Sequence, residues 1–116
     1  MRIEHESQDD LTILRIIGDI DFGDTNRLLQ ELRQLQTDGK RRILMNLSQC
    51  SAMVSSSIGI LVGFRCELAA QDGCFWVMCP SAEVREILEL VGLFDQLVRP
   101  EASEAEAVGA VAVDAA

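Results

Sequence analysis

Three adjacent serines, Ser55, Ser56 and Ser57, stand in the stretch SQCSAMVSSSIGILVGFR, between one apolar run that reads as a strand and another that reads as a helix. A serine at a strand-to-helix turn has three chemistries open to it: nucleophilic attack, acceptance of a phosphoryl group, or capping of the helix amides. A nucleophile needs a base within reach and an acid to orient that base. The sole histidine, His5, lies in the opening segment, no lysine stands near the serines in sequence, and the G-x-S-x-G turn of serine hydrolases is absent. These residues argue against an enzyme. Nor is there a G-x-x-x-x-G-K-[ST] or G-x-G-x-x-G loop to cradle a nucleotide. The loop GDIDFGD crowds Asp19, Asp21 and Asp24 in the manner of a calcium site, but it lacks the closing glutamate. The simpler expectation is that Asp24 caps the following helix while the other acids face water.

Capping and phosphorylation remain, and they are compatible. The first amides of a helix need acceptors, so one of the three serines is expected to cap it. One cap does not require three serines, and small residues would leave the helix start accessible. A phosphate placed there gains from the amides and the helix dipole, so it need not unfold the domain. It would add about 1.5 to 2 negative charges beside the apolar IGILVGF segment. The bare face could dock a partner and the phosphorylated face could not.

The elements that position these serines follow from apolar spacing. RIEHE and LTILRIIG read as two strands of a hairpin across SQDD. DTNRLLQELRQLQTDG places Leu28, Leu32 and Leu35 one turn apart, with Leu29 widening the stripe and Gly39 ending an amphipathic helix. RRILMNL gives a strand over Arg42–Leu47. The serines then open a second helix, Ser56 to Ala70, stopped near Gly73, with Ser55 at or just before its start. Its first turns are apolar nearly all round, which predicts either deep burial or an apolar face meant for a partner. CFWVM reads as a buried strand. CPSAEVREILELVGL reads as a third helix capped by Ser81, with a stripe of Val84, Ile87, Leu88 and Val91 and a stop at Gly92. FDQLV is expected to add a short edge strand. After Pro100, Ser103 and Glu106 stand at capping-box spacing, which suggests a weakly anchored fourth helix with frayed last residues. The fold class is α/β: a small mixed sheet of four or five strands with packed helices, in the order β-β-α-β-α-β-α with a final strand and helix left open. Residues 1–99 form the domain and 100–116 its C-terminal helix or tail.

With 116 residues the chain is long enough for one self-sufficient core. A net charge of −9 argues against nucleic acid as a partner, and Lys40-Arg41-Arg42 is too short a basic run to change that. The four cysteines form no CxxC pair, so a metal site is not expected, and Cys74 and Cys79 read as small core residues. No run has membrane-spanning length and no apolar signal core opens the chain, so the expected location is cytoplasmic.

Taken together, GDIDFGDTNRL, RRILMNLSQCSAMVSSSIGIL and PSAEVREILELVGL resemble, in the same order, an STAS domain, the module of anti-sigma factor antagonists and of sulfate-transporter tails. The resemblance spans about Ile13 to Leu97. In the antagonists the central motif reads Asp-Ser-Ser-Gly-aliphatic-Gly, and its first serine is phosphorylated. That serine corresponds to Ser55, followed by Ser56, with Gly59 as the last glycine; Val54 replaces the family's aspartate and Ser57 its first glycine. Asp21 falls on the acid of the family's Gly-x-aliphatic-Asp motif, which implies a partner contact. The resemblance implies a non-enzymatic regulator, without a cofactor of its own, that binds an anti-sigma factor or serine kinase of the histidine-kinase-like ATPase type. A PP2C-like phosphatase would reverse the modification. The implied partner surface is Asp21, Ser56, Ser57 and Ile60. Val54 keeps a second reading open, a constitutive STAS adaptor that binds through the same helix without phosphorylation.

Overall fold

The computed structural model describes residues 1–114. In chain order the elements are β1 (Arg2–Gln8), β2 (Leu11–Ile17), α1 (Thr25–Thr37), β3 (Arg42–Gln49), α2 (Ser55–Ala70), β4 (Cys74–Met78), α3 (Ala82–Leu90), α4 (Phe94–Leu97) and α5 (Glu104–Asp114). A short 3-10 turn, Phe22–Asp24, precedes α1. The sheet order is β1-β2-β3-β4; β1 runs antiparallel to β2, and β2, β3 and β4 are parallel. The mixed α/β fold expected from sequence is therefore present, with four strands. The last residues, expected to fray, include two that lie outside the described region.

Alternation along each strand divides the molecule into two cores. On the front face, Leu14, Ile16, Ile43, Met45, Leu47, Phe75 and Val77 pack under α1, α2 and α3. α1 supplies Leu28, Leu32 and Leu35, while α2 supplies Ile58, Leu61, Phe64 and Leu68. Phe64 meets Phe75 edge-on with ring centroids 5.2 Å apart. Gly39 and Gly92 close α1 and α3 at φ of +82° and +74°, as the helix-stop reading required.

The back face differs from expectation. Leu11, Ile13, Leu44 and Met78 are covered by Ala107 and Val111 of α5, all of them buried. The Glu104 carboxylate accepts from Arg15 Nε at 2.9 Å and from the Asn46 amide at 2.8 Å. Near the other end, Arg42 donates to the Val111 carbonyl at 2.6 Å. An acid in the first turn and a guanidinium near the last both suit the helix dipole. Ser103 caps α5 by accepting from Glu106 N–H, and Glu106 reaches Ala102 N–H rather than completing the box on Ser103. The segment after Pro100 is thus an integral layer of the fold, not a loosely attached tail.

Three smaller expectations are also revised. FDQLV forms the one-turn α4, because Phe94 and Leu97 turn inward at helical spacing; only Val98 bridges Val77, so no fifth strand forms. Val91 is 53% exposed, beyond the last turn of α3. Cys74 and Cys79 are half-buried on the rim of the sheet rather than in the core.

Candidate functional site

The serines lie where the loop after β3 enters α2, and a second loop is held against it. The chain after β2 continues the parallel pairing: Gly18 N–H donates to the Gln49 carbonyl, Ile20 N–H to Ala52, and Val54 N–H to Ile20, each at 3.0 Å. The Asp19 carboxylate accepts from the backbone amides of Ser51 and Ala52 at 3.2 and 3.1 Å. Asp19 therefore holds the two loops together. The Ser81 hydroxyl, which caps α3 by accepting from Val84 N–H, also donates to the Ser51 carbonyl at 2.7 Å. Three connections at the C-terminal ends of the parallel strands are thus tied into one surface, where ligands and partners of open α/β sheets commonly bind.

Ser55 and Ser56 are exposed in the first turn of α2. None of the three serines caps that helix. The N-cap is Val54, in extended conformation at ψ 150°, and no side chain accepts from the first-turn amides. Ser57, expected at the partner surface, is fully buried, and its hydroxyl has no hydrogen-bond partner. One residue beyond Ser56 the helix has turned inward beside Ile58, so Ser57 offers no surface. Asp24 likewise does not cap α1 with its side chain; its carboxylate turns back to accept Asp21 N–H at 2.9 Å.

Asp21 is exposed at the start of the 3-10 turn, and Phe22 next to it is 75% exposed. Phe22 was not among the residues expected at a partner surface. Its signal in GDIDFGD is an aromatic ring between acids that belongs to no apolar stripe. Ile60, one turn into α2, is half-exposed and rests partly on the front core. The site therefore gathers Asp21, Phe22, Ser55, Ser56 and Ile60, and omits Ser57.

Its chemistry suits contact more than catalysis. His5 is engaged elsewhere, with Nε2 3.1 Å from Glu31 of α1. Burial pushes the Cys50 thiol up, and neighbouring Asp19 adds to the effect, so this cysteine below the loop is a poor nucleophile. No cluster of three or more potential metal-ligating side chains occurs among the described residues.

Comparison with known proteins agrees with this arrangement. The STAS domain family matches residues 2–107. The anti-sigma-B factor antagonist of Staphylococcus aureus is 28% identical over 106 residues, covering 91% of this chain and 98% of that protein. Among solved structures, the unphosphorylated form of the anti-sigma factor antagonist SpoIIAA superposes with a TM-score of 0.83 at 25% identity, covering 95% of this chain and 96% of that one. The phosphorylated form of Bacillus SpoIIAA gives 0.78 at 24% identity, over 95% and 99% of the two chains. With the family match running through all four strands and into α5, the chain belongs to the STAS domain family.

Proposed function

We propose that this protein is an anti-sigma factor antagonist of the partner-switching kind. Its bare Asp21–Phe22–Ser55–Ser56–Ile60 surface binds an anti-sigma factor or switch kinase of the histidine-kinase-like ATPase type, and phosphate on Ser55 releases that partner. A PP2C-like phosphatase resets the switch. Nucleotide and magnesium belong to the kinase. The observation that carries this reading is Ser55 itself, an exposed hydroxyl in the first turn of a helix whose N-cap is an apolar residue. Next to it stands Phe22, one of three large apolar side chains left exposed among the described residues. A phosphate on Ser55 would meet first-turn amides and the positive end of the dipole, so the fold can carry it. The likeness to both forms of SpoIIAA supports this, since one fold accommodates both states there.

The test compares wild type, Ser55→Asp and Ser55→Ala for affinity to the ATPase recovered on immobilised wild-type protein. Ser55→Asp should bind at least about tenfold more weakly, equivalent to about 1.4 kcal/mol. Ser55→Ala should bind like wild type yet escape release by the kinase and ATP. Val54 at the N-cap, where the family has an aspartate, favours the second reading, an adaptor that is never phosphorylated. Equal affinity for all three proteins, with no phosphate on Ser55 in cells, would establish the adaptor instead.

A further inference from the structure

Between α1 and α2 runs an open groove of about 310 Å³ that begins at Ser56. Its walls are Leu29, Ile60 and Phe64, its floor is Gly59 and Gly63, and the Arg33–Glu67 ion pair closes its far end. The two glycines have no role inside the chain. A helix-interior glycine costs about 1 kcal/mol relative to alanine, a cost usually offset where another segment presses on the backbone. Gly73 is such a case, since a Cβ there would meet the Arg41 carbonyl oxygen at 2.2 Å. At Gly59 and Gly63 a Cβ would meet nothing within 4 Å. The space is kept open for something outside the molecule.

The groove's charge identifies the occupant. Arg33 and Glu67 neutralise each other, Gln36 also donates to Glu67, and the walls between them are uncharged. A cationic peptide, a nucleic acid or a lipid headgroup finds no counter-charge there. From Ser56 to Glu67 the groove follows α2 for eleven residues, about 16 Å at 1.5 Å per residue. That length matches three turns of a second helix.

We infer that this groove seats an amphipathic helix of the partner protein, which lays an uncharged aliphatic stripe against Gly59, Ile60 and Gly63. The inference rests on the partner-switching reading and gives it a physical cause. Ser55 stands at the mouth of the groove, so its phosphate would force a strongly hydrated dianion against an apolar helix with no cation to compensate it.

Gly63→Leu tests the groove without touching the switch, because residue 63 lies two turns beyond Ser55. The variant should melt no lower than wild type, since the added side chain enters open space and the helix gains propensity. It should bind the ATPase retained by wild-type protein at least tenfold more weakly, with Gly63→Ala in between. Gly109→Ala on α5, where a Cβ also meets nothing within 4 Å, is the control and should leave affinity unchanged. Affinity of Gly63→Leu within twofold of wild type, while Ser55→Asp weakens binding, overturns the groove and leaves the partner reading standing. If wild type retains no ATPase, or neither variant weakens binding, both fall. A lower melting point for Gly63→Leu shows that the space is not free and also overturns the inference. So does a wild-type dimer in sedimentation that Gly63→Leu dissociates, which would make the occupant a second copy.

Discussion

Val54 holds the N-cap of α2 with an extended backbone and an apolar side chain, at a position where a serine or aspartate is worth about 1 kcal/mol. Val54→Ser should therefore raise the thermal midpoint by several degrees, measured by circular dichroism, without altering net charge. Val54→Asp adds the same cap but places a fourth carboxylate among Asp19, Asp21 and Asp24, so it should stabilise less at low salt. Ser57 offers a second test. Its buried hydroxyl has no partner, and a polar group left unpaired in a core costs about 1–3 kcal/mol. Ser57→Ala should be neutral or stabilising in urea unfolding; a loss above about 1 kcal/mol would mean that the hydroxyl has a partner in solution. At this scale the exposure of Ser55 was legible from the strand-to-helix junction. The burial of Ser57 was not, because IGILVGF is apolar on every side and its spacing cannot show which side faces the sheet.

α5 is an element whose role the sequence concealed. The strands and the first three helices are marked by strong periodicity and by stops at Gly39, Gly73 and Gly92. EAEAVGAVAVD has only small apolar residues and little contrast between its faces, so nothing in it announces the buried pair Ala107 and Val111. Its anchor is titratable. The Arg15 hydrogen bond is the largest influence on Glu104; although burial opposes it, Arg15 and Asn46 together hold the carboxyl below its ordinary range. Glu6 on β1 also faces Arg15 and is lowered, first by Gln8 and then by Arg15. A carboxylate whose folded pKa is depressed stabilises the fold above its unfolded value, about 4.3 for Glu, and loses that contribution as pH falls through the folded value. Acid should therefore loosen α5. Trp76, the chain's only tryptophan, packs against the same back core, so its emission should shift to the red below about pH 4. Glu104→Gln should lower stability at pH 7 by about 1.5–3 kcal/mol, the usual worth of a hydrogen bond to a charged group. It should also flatten that acid-induced step.

At the scale of the whole molecule, the fold is a four-stranded sheet whose two faces are covered by different means. The crossovers through α1 and α2 cover the front, whereas one helix covers the back. No helix among the described residues is long and apolar enough to cross a membrane. Deleting the chain from Ser103 onward should expose Leu11, Ile13, Leu44 and Met78. The shortened protein should bind a hydrophobic dye such as ANS and aggregate on warming, whereas a dispensable tail would leave dye binding unchanged. Overall topology was legible because helices alternate with the parallel strands; the two-sided core was not, because it depends on which face α5 reaches. The same order has a consequence in time. Met78 completes the back of the sheet and its cover begins at Glu104, 26 positions later. At about 5–20 residues per second, a ribosome leaves that apolar face bare for roughly one to five seconds in every newborn chain. The nascent polypeptide, more than the finished protein, is then the form that needs a chaperone's shelter.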